Sequence, residues 1–387
     1  MMKNKTKKHA ISMKCRLCDS TQLELSLNLP NSPRRISRLL KVNQLMSDHP
    51  LRFKVYSCQV CGFIQAPNTL KDDYYDEFPM TWSHSSQMKV YRTAQVKTLV
   101  KRFNLKNKRL IEIGCGDGDY LEILNKAGVK GVGIEPSLLM RKIALAKGIK
   151  VYPGYVGQSK KMPGGPYDAF VTRQVLEHIA DMHGFLQSIR ASLKVGSIGL
   201  VEVPNTHKDL AYHRFYNFYP DHLGFFTMRT LSFLLERNGF TVLNVGTGMD
   251  DEFLEAHVRL DPVPNLAPLQ KTVQVLGKNI QSVILKAKKE NKKIAVWGAG
   301  YKGNMLLAVA KVKQVEYVVD SDPSKHGLYT PVSHLPVVSP AYLHEHPVDI
   351  MVVTTMTYVK EVVGQIKQSG FKGKILTLYQ LSQSSSR

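Results

Sequence analysis

Four of the five cysteines stand in two pairs, Cys15-Arg-Leu-Cys18 and Cys58-Gln-Val-Cys61. Each spacing is short enough to bring two thiolates onto one ion, and together they make a closed tetrahedral site for zinc. Four sulfur ligands leave no position for water, so such a metal stabilises folding and takes no part in chemistry. Two disulfides do not suit a reduced cytosol, and a redox dithiol needs no matching second pair. The fifth, Cys115, lies inside a glycine-rich run, Glu112-Ile-Gly114-Cys-Gly116-Asp-Gly118, and reads as a small packing residue. An apolar strand enters that run and a helix leaves it, so the glycines let backbone approach a ligand and supply amides at a helix start. Glu135 closes the next apolar strand about 20 residues on, where a carboxylate accepts both hydroxyls of a ribose. A third group, Asn205-Thr-His207, Tyr212-His213 and Tyr216-Asn-Phe-Tyr219-Pro-Asp221-His222, is dense in aromatic and ionisable side chains.

The elements that must position these groups fall into four stretches. Residues 1–75 hold the paired cysteines, little helical periodicity and turn signals such as Pro30, Asn31 and Pro33, which predicts a small zinc-ribbon-like module with an insertion around Pro30 to Asp48. Residues 76–260 alternate apolar runs of strand length with amphipathic segments, the pattern of a doubly wound α/β sheet. In such a sheet the segment from Asn205 to His222 lies over the carboxyl ends of the strands, where ligands bind. Residues 261–292 open on a proline-rich turn and continue as an amphipathic connecting helix, with Val273, Leu276, Ile280 and Ile284 on one face. Residues 293–387 repeat the strand and helix alternation on a smaller scale, which predicts a second, Rossmann-like α/β domain with a disordered tail after Leu381.

A glycine turn followed by an acid suits a nicotinamide cofactor as well as others. The fuller pattern, Glu-x-Gly-x-Gly-x-Gly with Glu112 two residues ahead of Gly114, resembles motif I of the class I S-adenosylmethionine (SAM) methyltransferases. Tyr167-Asp-Ala-Phe-Val-Thr-Arg-Gln174-Val-Leu-Glu177-His178 resembles that family's fourth strand and the turn that covers the adenine. Leu193-Lys-Val-Gly196 through Glu202-Val-Pro204-Asn205 resembles its next turn and strand. The resemblance implies a SAM site built on Glu112, Gly114, Gly116, Gly118, Glu135 and Gln174. Taken singly, Glu177 and His178 read as capping and packing residues.

The order of zinc module, motif I, Val-Pro-Asn turn, Tyr-x-acid-His segment and trailing Gly-Ala-Gly domain resembles the sugar C-methyltransferases of deoxysugar biosynthesis, over nearly the whole chain. That resemblance implies a nucleotide-linked 4-keto-6-deoxy sugar as small-molecule substrate, methylated at C3. It places Tyr219, Asp221 and His222 on the motif that supplies the base. A ketone acidifies the neighbouring C–H, and a neutral His removes such a proton near physiological pH. His222 is therefore the expected base, Asp221 its orienting group or a contact to a substrate hydroxyl, and Tyr219 an enolate or substrate contact. Asp221 stands where the family has Glu and Pro220 where it has His, departures that bear on the substrate more than on the reaction. By the same resemblance Asn205, Trp82 and His84 contact substrate. The glycine turn Gly298-Ala-Gly300 with Lys302, which alone would suit a dinucleotide, is expected to hold the nucleotide diphosphate.

Lys and Arg number 53 against 31 Asp and Glu, a formal charge of +22. The positive residues are scattered along the chain with no basic stripe interleaved with aromatics, so nucleic acid is not an expected partner. No apolar run reaches the length of about 18 residues needed to span a membrane, and the lysine-rich start leads into polar residues. The expectation is a cytoplasmic enzyme without a membrane partner. O- or N-methylation of a sugar or other small molecule is the alternative chemistry, and RNA methylation a more distant one.

Overall fold

The structure, a computed structural model, describes residues 13–34, 36, 39–67, 85–157 and 160–383 of the chain. The chain divides into two compact units after Pro262.

The first unit begins with β1 (Leu23–Ser32) and β2 (Leu51–Cys58), an antiparallel hairpin, and β3 (Ile64–Gln65). The insertion expected between the cysteine pairs is this hairpin, whose arms extend beyond Pro30 and Asp48. Helix α1 (Ser86–Phe103) follows, with the Ser85 hydroxyl accepting from the Met88 amide at its start and Asn104 in a left-handed conformation at its end. Then come β4 (Arg109–Ile113), α2 (Asp119–Lys126), β5 (Lys130–Glu135), α3 (Leu138–Ala146), β6 (Val151–Pro153), β7 (Tyr167–Arg173), α4 (Met182–Ala191) and β8 (Leu193–Pro204). The unit closes with α5 (Thr206–Ala211), β9 (Gly224–Phe225), α6 (Met228–Arg237), β10 (Phe240–Gly248) and β11 (Phe253–Leu260).

Seven strands form the main sheet in the order β10-β11-β8-β7-β4-β5-β6. Strands β4 to β8 run parallel, and β11 pairs antiparallel with both neighbours, so the sheet is mixed. Apolar side chains of β4 and β7 serve cores on both faces: Ile111 and Phe170 pack on one, Leu110, Ala169 and Val171 on the other. Such two-sided burial is why these strands read as continuous apolar runs. The strand order reverses between β4 and β7, and both strands deliver their carboxyl ends there. A crevice at that point is the expected ligand site of a doubly wound sheet. This is the class I fold that motif I implied.

A second sheet, in the order β1-β2-β3-β9, joins the cysteine module to the same unit, since Ile64 and Gln65 of β3 pair with Phe225 and Gly224 of β9.

The second unit contains α7 (Ala267–Lys289), β12 (Ile294–Trp297), α8 (Tyr301–Val309), β13 (Val318–Val319), β14 (Val337–Val338), α9 (Tyr342–Glu345), β15 (Ile350–Val353), α10 (Val359–Gln368), β16 (Lys374–Thr377) and α11 (Leu378–Gln383). Its five strands are all parallel, in the order β14-β13-β12-β15-β16. The helix read as a connector, α7, packs into this unit's core through Ile280, Ile284 and Ala287, while Val273 near its start stays exposed. A helix whose last turns lose that much apolar surface to one core is part of that core.

Candidate active site

The cofactor end is built from β4, β5 and the turns that follow them. Gly114, Gly116 and Gly118 have φ of +69°, +51° and +79°, a region that side-chain-bearing residues enter at a cost. At Gly114 there is also no room, because a Cβ would stand 2.4 Å from Cγ2 of Val175. Glu135 ends β5 with one carboxylate oxygen accepting from the Gly116 amide at 3.0 Å and the other from the Ser137 amide at 2.9 Å. Two bonds leave a carboxylate with acceptor capacity for a ribose. Burial pushes its pKa up, against those two amides. Gln174, directly after β7, is held at φ +54° by its amide donating to the Glu202 carbonyl at 2.9 Å. Left-handed backbone at a non-glycine residue costs on the order of 1–3 kcal/mol and marks functional turns.

Beneath this turn lies a buried charged network. Glu112 is fully buried and accepts from Arg173 at 2.6 and 3.1 Å, and Arg173 lies 3.9 Å over the Tyr120 ring. Its second oxygen, Oε2, has no partner. Glu202, on β8, accepts from both terminal nitrogens of Arg92, from Gln95 at 2.9 Å and from Gln174 at 3.3 Å. Burial opposes its charge, yet Arg92 beside it holds the carboxyl below its ordinary pKa. Arg173, Arg92 and Glu202 carry no sequence signal as site residues, because their roles depend on partners 61 and 110 positions away.

The second cluster gathers at the turn after β7 and the loop before β9. His222 is only 5% exposed, with its ring 4.2 Å from that of Tyr219 and 4.8 Å from that of His178. Burial holds the His222 pKa well below 6.5, and the neighbouring His178 pushes it the same way, so its imidazole is neutral at physiological pH. His178 donates from Nδ1 to the Asp221 carbonyl at 2.8 Å, which leaves its Nε2 as the acceptor nitrogen, and burial lowers its pKa to about 4. Asp221 is buried with Oδ1 unpartnered, and burial raises its pKa to about 6. The bond that leaves Asp221 for the cluster thus runs from its carbonyl to His178, not from its carboxylate to the base. Glu177 is 1% exposed with neither carboxylate oxygen hydrogen-bonded, and burial raises its pKa well above 4.5. Glu177 and His178, read from the sequence as capping and packing, therefore stand in the cluster. Their presence in the turn after β7 was the available signal.

Other expected contacts are placed differently. Both ends of the Asn205 amide are engaged inside the chain: Oδ1 accepts from the His207 amide at 3.2 Å to cap α5, and Nδ2 donates to the Asp251 carbonyl at 2.9 Å. A side chain so occupied has its amide committed to folding. Trp82 and His84 lie outside the described residues. In the second unit Gly300 opens α8 and Lys302 reaches Thr357 at 3.5 Å. There Asp320, the acid after the next strand, accepts from the Ala299 amide at 2.8 Å and pairs with Lys325 at 3.0 Å. Asp320 thus stands to its glycine turn as Glu135 stands to the first, with Lys325 as an added partner.

The cysteines meet as their spacing predicts. Their four Sγ atoms lie within 4.8 Å of one another, with Cys15 to Cys61 and Cys18 to Cys58 both at 3.6 Å. Tetrahedral zinc with bonds of about 2.3 Å sets sulfurs about 3.8 Å apart, so the set fits that ion. Each pair is followed by a left-handed residue, Asp19 at φ +65° and Gly62 at φ +75°, whose amide donates to the first cysteine's carbonyl at 2.9 Å in each case. Two copies of one turn thus present four thiols to one point. Between the first pair, Arg16 donates to the carbonyls of Ala66 at 2.6 Å and Leu223 at 3.1 Å, the latter adjacent to His222. Among the described residues no helix is long and apolar enough to cross a membrane.

Comparison with known proteins points to a methyltransferase. A family model described as a methyltransferase domain matches residues 87–245, and one described as a C-methyltransferase C-terminal domain matches residues 252–378. The C-methyltransferase NovU of Streptomyces niveus is 23% identical over 349 residues, 81% of this chain and 82% of that protein. The ubiquinone biosynthesis O-methyltransferase of Methylobacterium sp. (strain 4-46) is 31% identical over 94 residues, 23% of this chain and 38% of its own length. Among solved structures, the magnesium protoporphyrin IX methyltransferase (ChlM) of Synechocystis PCC 6803 with bound SAH aligns with 45% of this chain and 84% of that one, at 19% identity and a TM-score of 0.37.

Proposed function

We propose that this SAM-dependent methyltransferase, whose two parts match a methyltransferase domain and a C-methyltransferase C-terminal domain, methylates a carbon next to the ketone of a nucleotide-linked 4-keto-6-deoxy sugar, at C3. SAM supplies an electrophilic methyl on a sulfonium. His222, neutral and buried, takes the proton from the carbon beside the ketone; the C–H pair becomes the C=C bond of an enolate and the carbonyl π pair moves onto oxygen. The Tyr219 hydroxyl is the donor for that oxygen, and charge stabilisation of this kind is worth most where water is excluded. The C=C pair would then form the new carbon–carbon bond to that methyl, with the thioether of S-adenosylhomocysteine as leaving group. His178, fixed by the Asp221 carbonyl, packs edge-on against His222 and limits its rotation. The Asp221 carboxylate contacts a substrate hydroxyl.

What supports the reading above all is the placement of His222: a buried, neutral imidazole packed against Tyr219, with its ring 4.8 Å from that of His178 in the turn that follows Gln174. We assign Glu112, Gly114, Gly116, Gly118, Glu135 and Gln174 to the cofactor, Trp82 and His84 to substrate, and Gly300 and Lys302 to the diphosphate. Cys15, Cys18, Cys58 and Cys61 are assigned a structural zinc.

The test is incubation with SAM and a panel of nucleotide 4-keto-6-deoxy sugars in deuterated water. Deuterium exchange at C3 and methyl transfer to carbon are expected, both reduced about 100- to 10,000-fold in His222→Asn with SAM affinity unchanged. Transfer to oxygen or nitrogen without carbon exchange would replace this reading with the alternative chemistry.

A further inference from the structure

We propose that Glu177, His178 and His222 form a second metal site, distinct from the four cysteines, which takes a borderline divalent cation such as Zn2+, Co2+ or Ni2+. One donor atom from each residue lies within 4.8 Å of the other two. Two imidazoles and one carboxylate suit such cations, whereas calcium and magnesium prefer oxygen alone.

Three features make this more than a chance grouping. Glu177 is 1% exposed, and neither of its carboxylate oxygens has a hydrogen-bond partner. A buried acceptor left unpaired is costly, and a cation supplies what is missing. His178 already carries the outer support of a metal ligand: its Nδ1–H is bonded to the Asp221 carbonyl, which fixes the ring and turns the Nε2 lone pair inward. The two segments that bring the ligands are also tied by backbone, because the Leu223 amide donates to the Glu177 carbonyl at 2.7 Å.

His178 Nε2 and Glu177 Oε1 are 4.0 Å apart. Donors sharing an ion at about 2.0–2.2 Å stand about 3.0–3.5 Å from each other, so this pair has to close by about 0.5–1 Å. Three protein ligands leave a position open for water or a substrate oxygen. The ion would occupy the His222 lone pair that the proposed reaction uses as its base, so metal-loaded and base-competent forms exclude one another. Only that consequence for turnover rests on the proposed function; the binding does not.

The full chain is dialysed against excess Zn2+ and then against metal-free buffer, and bound zinc is counted by atomic emission. Wild type is expected to hold two equivalents, and Glu177→Gln and His178→Asn one each, with SAM binding by calorimetry showing that both variants are folded. Substituting Co2+ separates the sites: the cysteines give intense sulfur-to-cobalt bands and the second site only weak visible ones. One equivalent in wild type, or two in either variant, overturns the proposal. A second equivalent in protein that shows no C3 exchange even before zinc is added refutes the reaction and leaves the site.

Discussion

The glycine turn from Gly114 to Gly118 is held by close neighbours in sequence, with Gly116 bonded to Glu135 19 positions on, whereas the loop carrying His222 is held by Arg16, 207 positions before Leu223. The cofactor end grows out of one strand-turn-helix unit and needs its own glycines. The base is carried on a segment whose fixed points come from elsewhere: β3 pairs with β9, Phe63 packs on Phe226 with ring centroids 5.2 Å apart, and the Ala66 amide donates to the Leu223 carbonyl at 3.1 Å. Every one of those partners belongs to the cysteine module. That module therefore anchors the segment that carries the proposed base, and a metal on its cysteines would act on the reaction through geometry.

The largest effect should come from the buried charges that support the cofactor end. Glu202→Gln leaves Arg92 buried without its counter-charge, and breaking a buried pair in this way costs about 3–5 kcal/mol. Urea unfolding should show that loss, and SAM affinity should fall because Gln174 loses a partner. A change below about 1 kcal/mol would mean that the network contributes little beyond packing, and the contrast between the two ends would lose its energetic half.

Next in size is removal of one zinc ligand. Cys18→Ser disturbs the cysteine site and leaves Glu177, His178 and His222 intact. If the module positions the base, methyl transfer should drop about 100-fold, the scale of a 1 Å misplacement, while calorimetry finds SAM affinity nearly unchanged. Equal loss of SAM binding and turnover would show instead that the module holds up the entire unit, and the comparison would fail.

How much of this was legible in the sequence follows the same division. Glycines that need a left-handed backbone, paired cysteines and an acid at a strand end are local requirements, so their types and spacing expose them. The helix cap that Asn205 makes was not legible, because a side chain that caps a helix and one that meets a substrate look alike in a motif. Glu177 and His178 looked like packing until folding brought His222 beside them. Strand β14 is two residues long and has no periodicity to detect, and α7 gave no sign in its pattern of which core it would join. The reversal of β11 is a property of pairing, which no single strand encodes. Arg16 reads only as a spacer within Cys-x-x-Cys, yet its guanidinium spans the module and the loop that carries His222.

That guanidinium offers the finest test of the division. Arg16→Ala leaves all four cysteines in place and removes two bonds, to the Ala66 and Leu223 carbonyls. The Leu223 carbonyl still accepts from the Ala66 amide, so the loop keeps part of its anchorage and unfolding is not expected. A charged hydrogen bond lost at a partly buried site is worth about 1.5–3 kcal/mol to stability, but only the fraction that displaces His222 appears in the rate. If that fraction is about 1 kcal/mol, kcat falls about fivefold with zinc content and SAM affinity unaltered. Because the effect acts through position and not through proton affinity, the pH dependence of kcat should keep its shape. A shifted profile would mean that Arg16 influences the base electrostatically, and an unchanged kcat that β3 and β9 pairing alone sets its place.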